Sequence, residues 1–394
     1  MNVTITPTRL AGVITPPASK SQAHRAVLAL ALSEGTGTLS NLSLSQDIQA
    51  TQDCVAALKS GRPAGHDGLP VLDCGESGST LRFLIPVALA VRGGGHFTGR
   101  GRLMERPQGP YFDIFKEKGI FYEQIGGILT VRGELPSGEY RLPGDVSSQF
   151  VTGLLYALPL LSGDSEIVLT TPLESRDYVV MTLDVLEKFG VRVENEDFQR
   201  FHVPGGQKFT ARDMAIEADW SQAGFWYAAI SLGNSVEVSG LDPNSAQGDK
   251  VTADHYKLLT KPGTVDIDVS QCPDLVPPLA VMAAVRSGTT RIVNAARLRM
   301  KESDRLAAVT QVLNALGAEV EEHPDSLTVV GKSTLPGGVT VDSHNDHRIA
   351  MMAAIAAARC EKPVTITGAE CVAKSYPTFW EDYEKLGGQI VREE

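Results

Sequence analysis

The sequence predicts an α/β protein of two similar halves, each containing three β-α-β-α-β-β units. Three observations support this prediction. A polar cluster followed directly by an apolar helix occurs six times along the chain, and amphipathic helices that end in glycine before a strand occur between the clusters. The clusters begin about 53 to 73 residues apart, which is too long for a solenoid repeat and suits a β-α-β-α-β-β unit.

Each polar cluster contains Ser, Asp, Gln or Arg and leads into a helix of small apolar residues. The six clusters occupy residues 19–25, 76–82, 146–149, 219–222, 272–274 and 345–348. Because three clusters fall in each half, we expect a first domain over residues 18–216 and a second over residues 217–394. The N-terminal strand, within residues 1–17, is expected to join the second domain, so that the chain crosses twice between domains.

Two amphipathic helices show how each unit continues. They end at Gly190 and Gly317, and the short segments 191–193 and 318–320 that follow are expected to be strands. Glycine supplies the left-handed conformation that stops a helix.

The composition is that of an ordinary globular protein. Of the 394 residues, 42% are hydrophobic and 21% are charged, which excludes a disordered chain. The formal net charge of -11 would repel nucleic acid and anionic membranes, so neither is expected as a partner. Any anionic ligand must therefore be bound by local clusters of cations.

The cysteines and the N-terminal segment favour the cytoplasm. Five cysteines form an odd set without a CxxC motif, which favours reduced thiols over disulfides or a zinc site. Residues 1–7 alternate like a strand and lack the basic and apolar regions of a signal peptide. The apolar runs are shorter than the roughly 20 residues of a membrane helix, so a soluble protein is expected.

Cations recur where the predicted helices begin. They are Lys20, Arg25, Arg82, Arg348 and the pair Lys301 and Arg305, with Arg102, Arg106 and Lys374 in nearby loops. A helix N-terminus favours anions and opposes cations, so repeated cations there indicate bound anions. As a set they predict more than one phosphate or carboxylate. The alternative is that the polar residues are helix caps and the cations form a solvated face.

Other ligand-binding motifs are absent from the sequence. It contains no G-x-x-x-x-G-K-[ST] loop and no G-x-G-x-x-G loop, and residues 75–79 lack the final glycine of a nucleophile elbow. His344 and His347 could share a metal if they were helical, but no HExxH motif or nearby cysteine supports such a site. We therefore expect no metal.

Two carboxylates stand among cations or prolines and could carry protons. Asp274 lies in a Cys-Pro-Asp-Leu-Val-Pro-Pro segment, and Glu302 lies between Lys301 and Arg305. If residues 301–305 are helical, these last three side chains are near neighbours. The alternative is a salt-bridge network that caps a helix.

The clusters together closely resemble the EPSP synthase family over nearly the whole chain. The resemblance is carried by residues 19–25, 78–82, 105–107, 146–149, 175–178, 273–274, 299–305, 345–348 and 373–374. It implies an inside-out α/β barrel of two domains, with three β-α-β-α-β-β units in each, that close over a cleft. It further implies transfer of the enolpyruvyl group of phosphoenolpyruvate to the 5-hydroxyl of shikimate 3-phosphate, with release of phosphate. No cofactor is implied, and one cleft in one chain makes a monomer sufficient.

The resemblance also implies which residues bind each substrate. Those for shikimate 3-phosphate are Lys20, Ser21, Arg25, Ser147, Ser148, Gln149, Ser175, Asp274 and Lys301. Those for phosphoenolpyruvate are Lys20, Gly78, Arg106, Gln149, Arg305, Arg348 and Lys374. Asp274 would take the proton of the hydroxyl, and Glu302 and Lys20 would donate protons to C3 or to the leaving phosphate.

Glu76 and Arg297 depart from the family pattern, which often has Asn at both positions. A carboxylate facing phosphate would weaken binding, so we expect the Glu76 side chain to point away or to meet Arg82. Arg297 is expected to contact substrate or to be a surface charge.

Two other functions stay open. A sister enzyme with the same fold transfers the enolpyruvyl group to UDP-N-acetylglucosamine, and it usually carries a reactive Cys in the loop that corresponds to residues 96–108. This chain has no Cys there. A catalytically silent binder of anionic metabolites would keep the cations and lose a proton carrier, yet Asp274 and Glu302 are both present. Cations on both halves further predict that the domains close when ligand binds.

Overall fold

The computed structural model describes residues Met1–Glu393 and has a mixed α/β fold. Within this range there are twelve α-helices and 24 β-strands. The helices are α1 (Lys20–Leu32), α2 (Gln46–Ser60), α3 (Gly78–Arg92), α4 (Gly109–Lys118), α5 (Ser148–Ala157), α6 (Arg176–Lys188), α7 (Trp220–Ser231), α8 (Thr252–Leu259), α9 (Val276–Val285), α10 (Arg305–Ala315), α11 (His347–Ala357) and α12 (Phe379–Lys385).

The first fourteen strands are β1 (Asn2–Thr6), β2 (Ala11–Ile14), β3 (Ser33–Glu34), β4 (Leu39–Ser40), β5 (Val71–Asp73), β6 (Gly94–Thr98), β7 (Phe121–Ile125), β8 (Ile128–Arg132), β9 (Gly138–Leu142), β10 (Ser165–Leu169), β11 (Glu194–Glu196), β12 (Arg200–Val203), β13 (Phe209–Thr210) and β14 (Met214–Ala215). The others are β15 (Ser235–Val238), β16 (Val265–Asp268), β17 (Thr289–Val293), β18 (Glu319–Glu322), β19 (Leu327–Val330), β20 (Leu335–Gly337), β21 (Thr340–Asp342), β22 (Cys360–Lys362), β23 (Val364–Thr367) and β24 (Gln389–Glu393).

The chain divides into two compact units. The central unit comprises Lys20–Ile216, and the terminal unit comprises Met1–Ser19 together with the chain from Glu217 onward. In the terminal unit, the Ser19 N–H donates to Glu217 O at 2.7 Å, where the chain leaves this unit and returns to it. Every helix within Met1–Glu393 is too short or too polar to span a membrane.

Four sheets share one topology, two in each unit. The central unit contains β5-β6-β8-β7 and β9-β10-β12-β11, and the terminal unit contains β16-β17-β19-β18 and β21-β23-β1-β24. In each sheet the first two strands are parallel and the remaining pairings are antiparallel. A parallel pair requires a crossover, which α3, α5, α9 or α11 supplies.

Each of these sheets therefore follows the order β-α-β-α-β-β. In the last of them, β1 from the N-terminal segment serves as the final strand. The other strands form two-stranded pairs, which are β3-β13 and β4-β14 in the central unit and β2-β15 and β20-β22 in the terminal unit.

The apolar crossover helices lie in the cores of their units. All residues of α11 are buried, and so are all residues of α9 except the last. A helix that is apolar on every side must be surrounded by protein. Because the polar clusters directly precede such helices or form their first turns, a packed core holds their side chains in place.

Gly190 and Gly317 end their helices as predicted, with φ angles of 84° and 101°. The strand predicted at residues 318–320 forms, although it starts at Glu319. The strand predicted at residues 191–193 is wrong, because the next strand starts only at Glu194. The Val191 N–H instead donates to Leu186 O at 2.9 Å and completes the end of α6.

Candidate active site

Helix α1 of the central unit begins at Lys20, which forms an ion pair. Lys20 Nζ lies 2.7 Å from Oδ2 of Asp47, near the start of α2. Ser45 caps α2 by accepting a hydrogen bond from the Ile48 N–H. The Lys20 ammonium is therefore held at a defined place beside the start of a second helix.

Arg25 is a buried cation whose hydrogen bonds go to neutral groups. Its guanidinium donates to Thr182 Oγ1 at 2.8 Å and to the carbonyl oxygens of Ser21 and Tyr178 at 2.7 and 3.0 Å. Burial lowers the pKa of Arg25 to about 10, which leaves it charged at neutral pH. Since no carboxylate among the described residues pairs with it, this charge suits an anionic ligand.

Helix α5 begins where predicted residues meet a second arginine. Ser147 caps the helix by accepting from the Gln149 N–H at 3.3 Å. The Gln149 amide donates to Ser79 Oγ and accepts from Arg82 Nη1, both at 2.9 Å. Arg82 also donates to Pro107 O at 2.9 Å, so it joins this helix start to the loop that follows Arg106.

Gly78 is the first residue of α3 and lies against Arg106. A Cβ at Gly78 would stand 2.5 Å from Arg106 Nη1, so a larger residue would displace that guanidinium. Arg106 Nε is buried and has no acceptor within Met1–Glu393. A buried N–H without an acceptor is costly, and an anion at the N-terminus of α3 would supply one.

Two predicted serines are also buried at helix starts. Ser148 is the first residue of α5, and Ser175 directly precedes α6. Ser175 has a φ of 53°, a conformation that is uncommon outside glycine and occurs often at functional sites.

The terminal unit holds an ion-pair cluster around Arg305, the first residue of α10. Arg305 is 1% exposed and donates to Asp274 Oδ1 at 2.8 Å, Glu302 Oε2 at 2.6 Å and Asp346 Oδ2 at 2.8 Å. Burial lowers the pKa of Arg305, but the three carboxylates outweigh burial and raise it above its usual value. Glu302 reaches Arg305 from the loop before α10, so the two side chains are neighbours although residues 301–304 are not helical.

Asp274 is a carboxylate that contacts three cations. It lies in a 3-10 turn, Pro273–Leu275, just before α9. Besides Arg305, Lys301 Nζ lies 3.3 Å from its Oδ1, and Arg348 Nη2 lies 3.2 Å from its Oδ2. Nearby cations favour the ionised carboxylate, which is the form that a general base needs.

The start of α11 brings together the last two predicted cations. Asp346 caps this helix by accepting from the Arg348 N–H at 3.0 Å. The buried Lys374 donates to Asn345 O at 2.6 Å. Lys374 and Arg348 are thus both held beside one helix N-terminus in the terminal unit.

Sequence reasoning missed two buried carboxylates in this unit. Asp346 contacts Arg305, and its only sequence signal was its place in the cluster before α11. Asp249 is 4% exposed in a 3-10 turn, Gly248–Val251, and no motif marks it. Burial and the neighbouring Asp274 raise the pKa of Asp249 to about 6.

Glu76 and Arg297, the two residues that depart from the family pattern, each lie against a neighbouring loop residue. The Glu76 carboxylate lies against Gly101 of the following loop. Arg297 Nη2 donates to Ser270 O at 2.6 Å. Within Met1–Glu393 no group of three or more His, Cys, Asp or Glu side chains could hold a metal ion.

Comparisons with known proteins agree on one family. The family model described as EPSP synthase (3-phosphoshikimate 1-carboxyvinyltransferase) matches residues 5–383. Curated proteins named 3-phosphoshikimate 1-carboxyvinyltransferase include those of Clostridium kluyveri, 48% identical over 98% of both chains, and Clostridium novyi, 45% identical over 99% of this chain and 98% of that one.

Solved structures share the fold. The EPSP synthase from Acinetobacter baumannii superposes with a TM-score of 0.78 at 24% identity, covering 99% of this chain and 100% of that one. The enolpyruvyl transferase NikO from Streptomyces tendae gives a TM-score of 0.77 at 16% identity, covering 99% and 98%. From the family model and the curated relatives together, the chain belongs to the EPSP synthase family of 3-phosphoshikimate 1-carboxyvinyltransferases.

Proposed function

We propose that the residues described above bind the substrates and carry the chemistry of the EPSP synthase reaction. As a member of this transferase family of the shikimate pathway, the chain transfers the enolpyruvyl group of phosphoenolpyruvate to shikimate 3-phosphate. We assign shikimate 3-phosphate to Lys20, Ser21, Arg25, Ser147, Ser148, Gln149, Ser175, Asp274 and Lys301. We assign phosphoenolpyruvate to Lys20, Gly78, Arg106, Gln149, Arg305, Arg348 and Lys374.

The observation that supports these assignments most directly is the surroundings of Asp274. Its carboxylate contacts Lys301, assigned to shikimate 3-phosphate, and also Arg305 and Arg348, assigned to phosphoenolpyruvate. A base in contact with cations for both substrates lies where a hydroxyl of one could meet C2 of the other.

The number of assigned cations is similar to the number of substrate charges, although Asp47, Asp274, Glu302 and Asp346 already neutralise part of that positive charge. The two substrates carry about five to six negative charges, counting two for each phosphate and one for each carboxylate. The assigned cations are Lys20, Arg25, Arg106, Lys301, Arg305, Arg348 and Lys374. Most are buried, where an ionic contact is stronger than in water.

The reaction then proceeds in two steps. In the first step Asp274 accepts the proton of the 5-hydroxyl, and the hydroxyl oxygen bonds to C2 of phosphoenolpyruvate. C3 gains a proton at the same time, which gives a tetrahedral intermediate. The bond from C2 to the phosphate oxygen then breaks with its electron pair going to phosphate, C3 returns a proton to the group that protonated it, and the enol ether forms. Glu302 and Lys20 are the proposed proton donors.

Glu302 needs a change in its surroundings to act as an acid. Its contact with Arg305 favours the ionised form. A substrate phosphate that binds Arg305 would draw this guanidinium away from Glu302 and add negative charge nearby. Both effects favour the protonated carboxyl, so substrate binding would prepare the proton donor.

We also propose the finer architecture that the sequence predicts. The central and terminal units would correspond to the domains predicted over residues 18–216 and 217–394, the latter joined by residues 1–17. The four sheets with β-α-β-α-β-β order would be four of six such units of an inside-out α/β barrel, and the short strand pairs would belong to the other two. A monomer and a cytoplasmic location stay predictions.

Phosphate release tests the function and its acceptor together. The purified protein is mixed with phosphoenolpyruvate and either shikimate 3-phosphate or UDP-N-acetylglucosamine. We expect release with shikimate 3-phosphate only. Release with the nucleotide sugar only would contradict the proposed acceptor, and binding without release would indicate a silent binder.

Replacement of Arg25 tests the assigned shikimate 3-phosphate site. Arg25→Gln removes a buried charge and should raise KM for shikimate 3-phosphate about 10- to 100-fold, since charged hydrogen bonds contribute about 1.5 to 3 kcal/mol. Arg200→Gln, which breaks a half-exposed pair with Glu166 in the same unit, serves as control and should keep the parent KM. An unchanged KM in Arg25→Gln would remove Arg25 from the site.

A further inference from the structure

A chain of buried hydrogen bonds joins three helix starts of the central unit. His24 Nδ1 lies 2.7 Å from Thr51 Oγ1, which lies 2.7 Å from Thr80 Oγ1. Thr80 Oγ1 in turn donates to Ser77 Oγ at 2.7 Å. His24 is on α1, Thr51 on α2 and Thr80 on α3, and Ser77 caps α3. All four residues are 2% exposed or less.

The hydrogen-bond chain runs in one direction. Each hydroxyl has a single proton. If Thr80 donates to Ser77, the Thr51–Thr80 bond needs the Thr51 proton, for which Asp47 O at 3.1 Å is a second acceptor. With the Thr51 proton directed at Thr80, His24 donates to Thr51 through Nδ1. Burial, together with Lys20 and Arg25, lowers the pKa of His24 well below its usual range. The imidazole is therefore neutral and carries one ring proton. This proton, on Nδ1, makes the hydrogen bond to Thr51.

The two ends of this hydrogen-bond chain, His24 and Ser77, lie next to residues of the proposed site. Lys20 and Asp47 stand one helical turn before His24 and Thr51, so the Lys20–Asp47 ion pair and the His24–Thr51 bond are successive links between α1 and α2. At the other end, Ser77 and Thr80 flank Gly78.

Gly78 is sensitive to small displacements of α3. Arg106 Nη1 lies only 2.5 Å from the place of a Cβ on Gly78, so a tilt of the helix would alter the space between the backbone and this guanidinium. Apolar side chains could pack the three helices together, but they would not impose the direction and length of hydrogen bonds.

We propose that Thr51 and Thr80 are positioning residues that hold Lys20 and Gly78 in the relative arrangement that phosphoenolpyruvate requires. The proposal rests on the roles proposed above for Lys20 and Gly78. Neither threonine needs to touch substrate, because each acts through the helix on which a binding residue lies.

The first variant is Thr80→Val, which keeps the shape of the side chain and removes its hydroxyl. We expect kcat/KM for phosphoenolpyruvate to fall about 5- to 10-fold, the effect of one buried hydrogen bond. The Kd of shikimate 3-phosphate, measured without phosphoenolpyruvate, should stay within twofold of the parent. Thr80→Ser, which restores the hydroxyl, should restore kcat/KM.

Thr51→Val extends the test because it breaks two links of the chain. We expect a larger loss that includes kcat, since α1 and Lys20 are also released. The double variant should be no more than twofold worse than Thr51→Val alone, because both changes break the same chain. Thr290→Val is the control: Thr290 is also fully buried and hydrogen-bonded, to Arg286, but lies on β17 and is not among the residues assigned to substrate.

The outcomes separate the proposal from its alternatives. If Thr80→Val lowers the melting temperature as Thr290→Val does and leaves kcat/KM for both substrates within twofold, the hydrogen-bond chain is only structural and the proposal is wrong. If Thr80→Val does not fold, Thr80→Ala and Thr80→Ser are compared with the same criterion. Gly78→Ala is measured in parallel, and an unchanged KM for phosphoenolpyruvate there would contradict the proposed site itself.

Discussion

Asp274 is the residue on which the proposed chemistry depends most directly. Asp274→Asn keeps the size of the side chain and removes the base, so kcat should fall about 10²- to 10⁴-fold, the usual contribution of general base catalysis. Binding of shikimate 3-phosphate should weaken far less, because the other assigned cations and serines remain. Phosphate release and equilibrium binding measure the two effects, and turnover within a fewfold of the parent would contradict the assignment.

Asp249 makes stability depend on pH in a direction that can be calculated. Its pKa is about 6 in the folded chain, against roughly 3.9 for an unfolded Asp. The folded state therefore binds this proton more tightly, so Asp249 destabilises the fold increasingly as pH rises from 4 to 6, and fully above 6.

An uncharged side chain at this position avoids that cost. Asp249→Asn should stabilise the protein more at pH 7.5 than at pH 4.5, with a difference of about 2 kcal/mol in the free energy of unfolding. Urea unfolding of both proteins at the two pH values measures this difference. An equal effect at both values would show that folding does not raise the pKa of Asp249.

Asp346 and Asp249 also show why part of the candidate site could not be predicted. Asp346 is 41 residues from Arg305 in sequence, and only the packing of α10 against α11 brings the two together. Local patterns carry no information on such a pairing. Lys20, Arg25 and Arg348 were easier to single out, because a cation at a helix start is unusual by itself.

At the scale of elements, helix starts were predictable and strands were less so. An α-helix begins within or just after each of the six polar clusters, because a capping side chain and an apolar run are local features. Strands such as β3 and β13 have two residues each, and the two strands that pair lie far apart in the sequence of the central unit. Their formation depends on distant partners, so no local pattern indicates them.

Gly317 and Gly263 separate two costs of replacing a glycine. Their φ angles are 101° and 102°, a region in which alanine is strained at both positions. A Cβ at Gly317 would overlap Pro336 Cδ, whereas Gly263 has open space. Gly317→Ala should therefore destabilise the protein by about 1 to 3 kcal/mol more than Gly263→Ala does. Urea unfolding measures both, and equal losses would assign the whole cost to backbone strain.

For the whole molecule, the N-terminal strand decides how the terminal unit is completed. β1 lies between β23 and β24, and its Val3 and Ile5 side chains are fully buried. Deletion of residues 1–7 should lower amide protection against hydrogen exchange throughout this sheet, while the central unit keeps its protection. Thr6→Ala, at an exposed position in the same strand, should change neither unit. Loss of protection in both units alike would show that the central unit also depends on this strand, contrary to the prediction.

Asn2, the first residue of β1, pairs with Glu393, the last residue of β24. A ribosome must therefore make the chain as far as residue 393 before this sheet can close. The central unit, complete once residue 216 has emerged, can fold long before that. We expect the nascent protein to have a folded central unit while the N-terminal strand β1 is still unpaired. During this interval β1 can bind chaperones or pair with another chain.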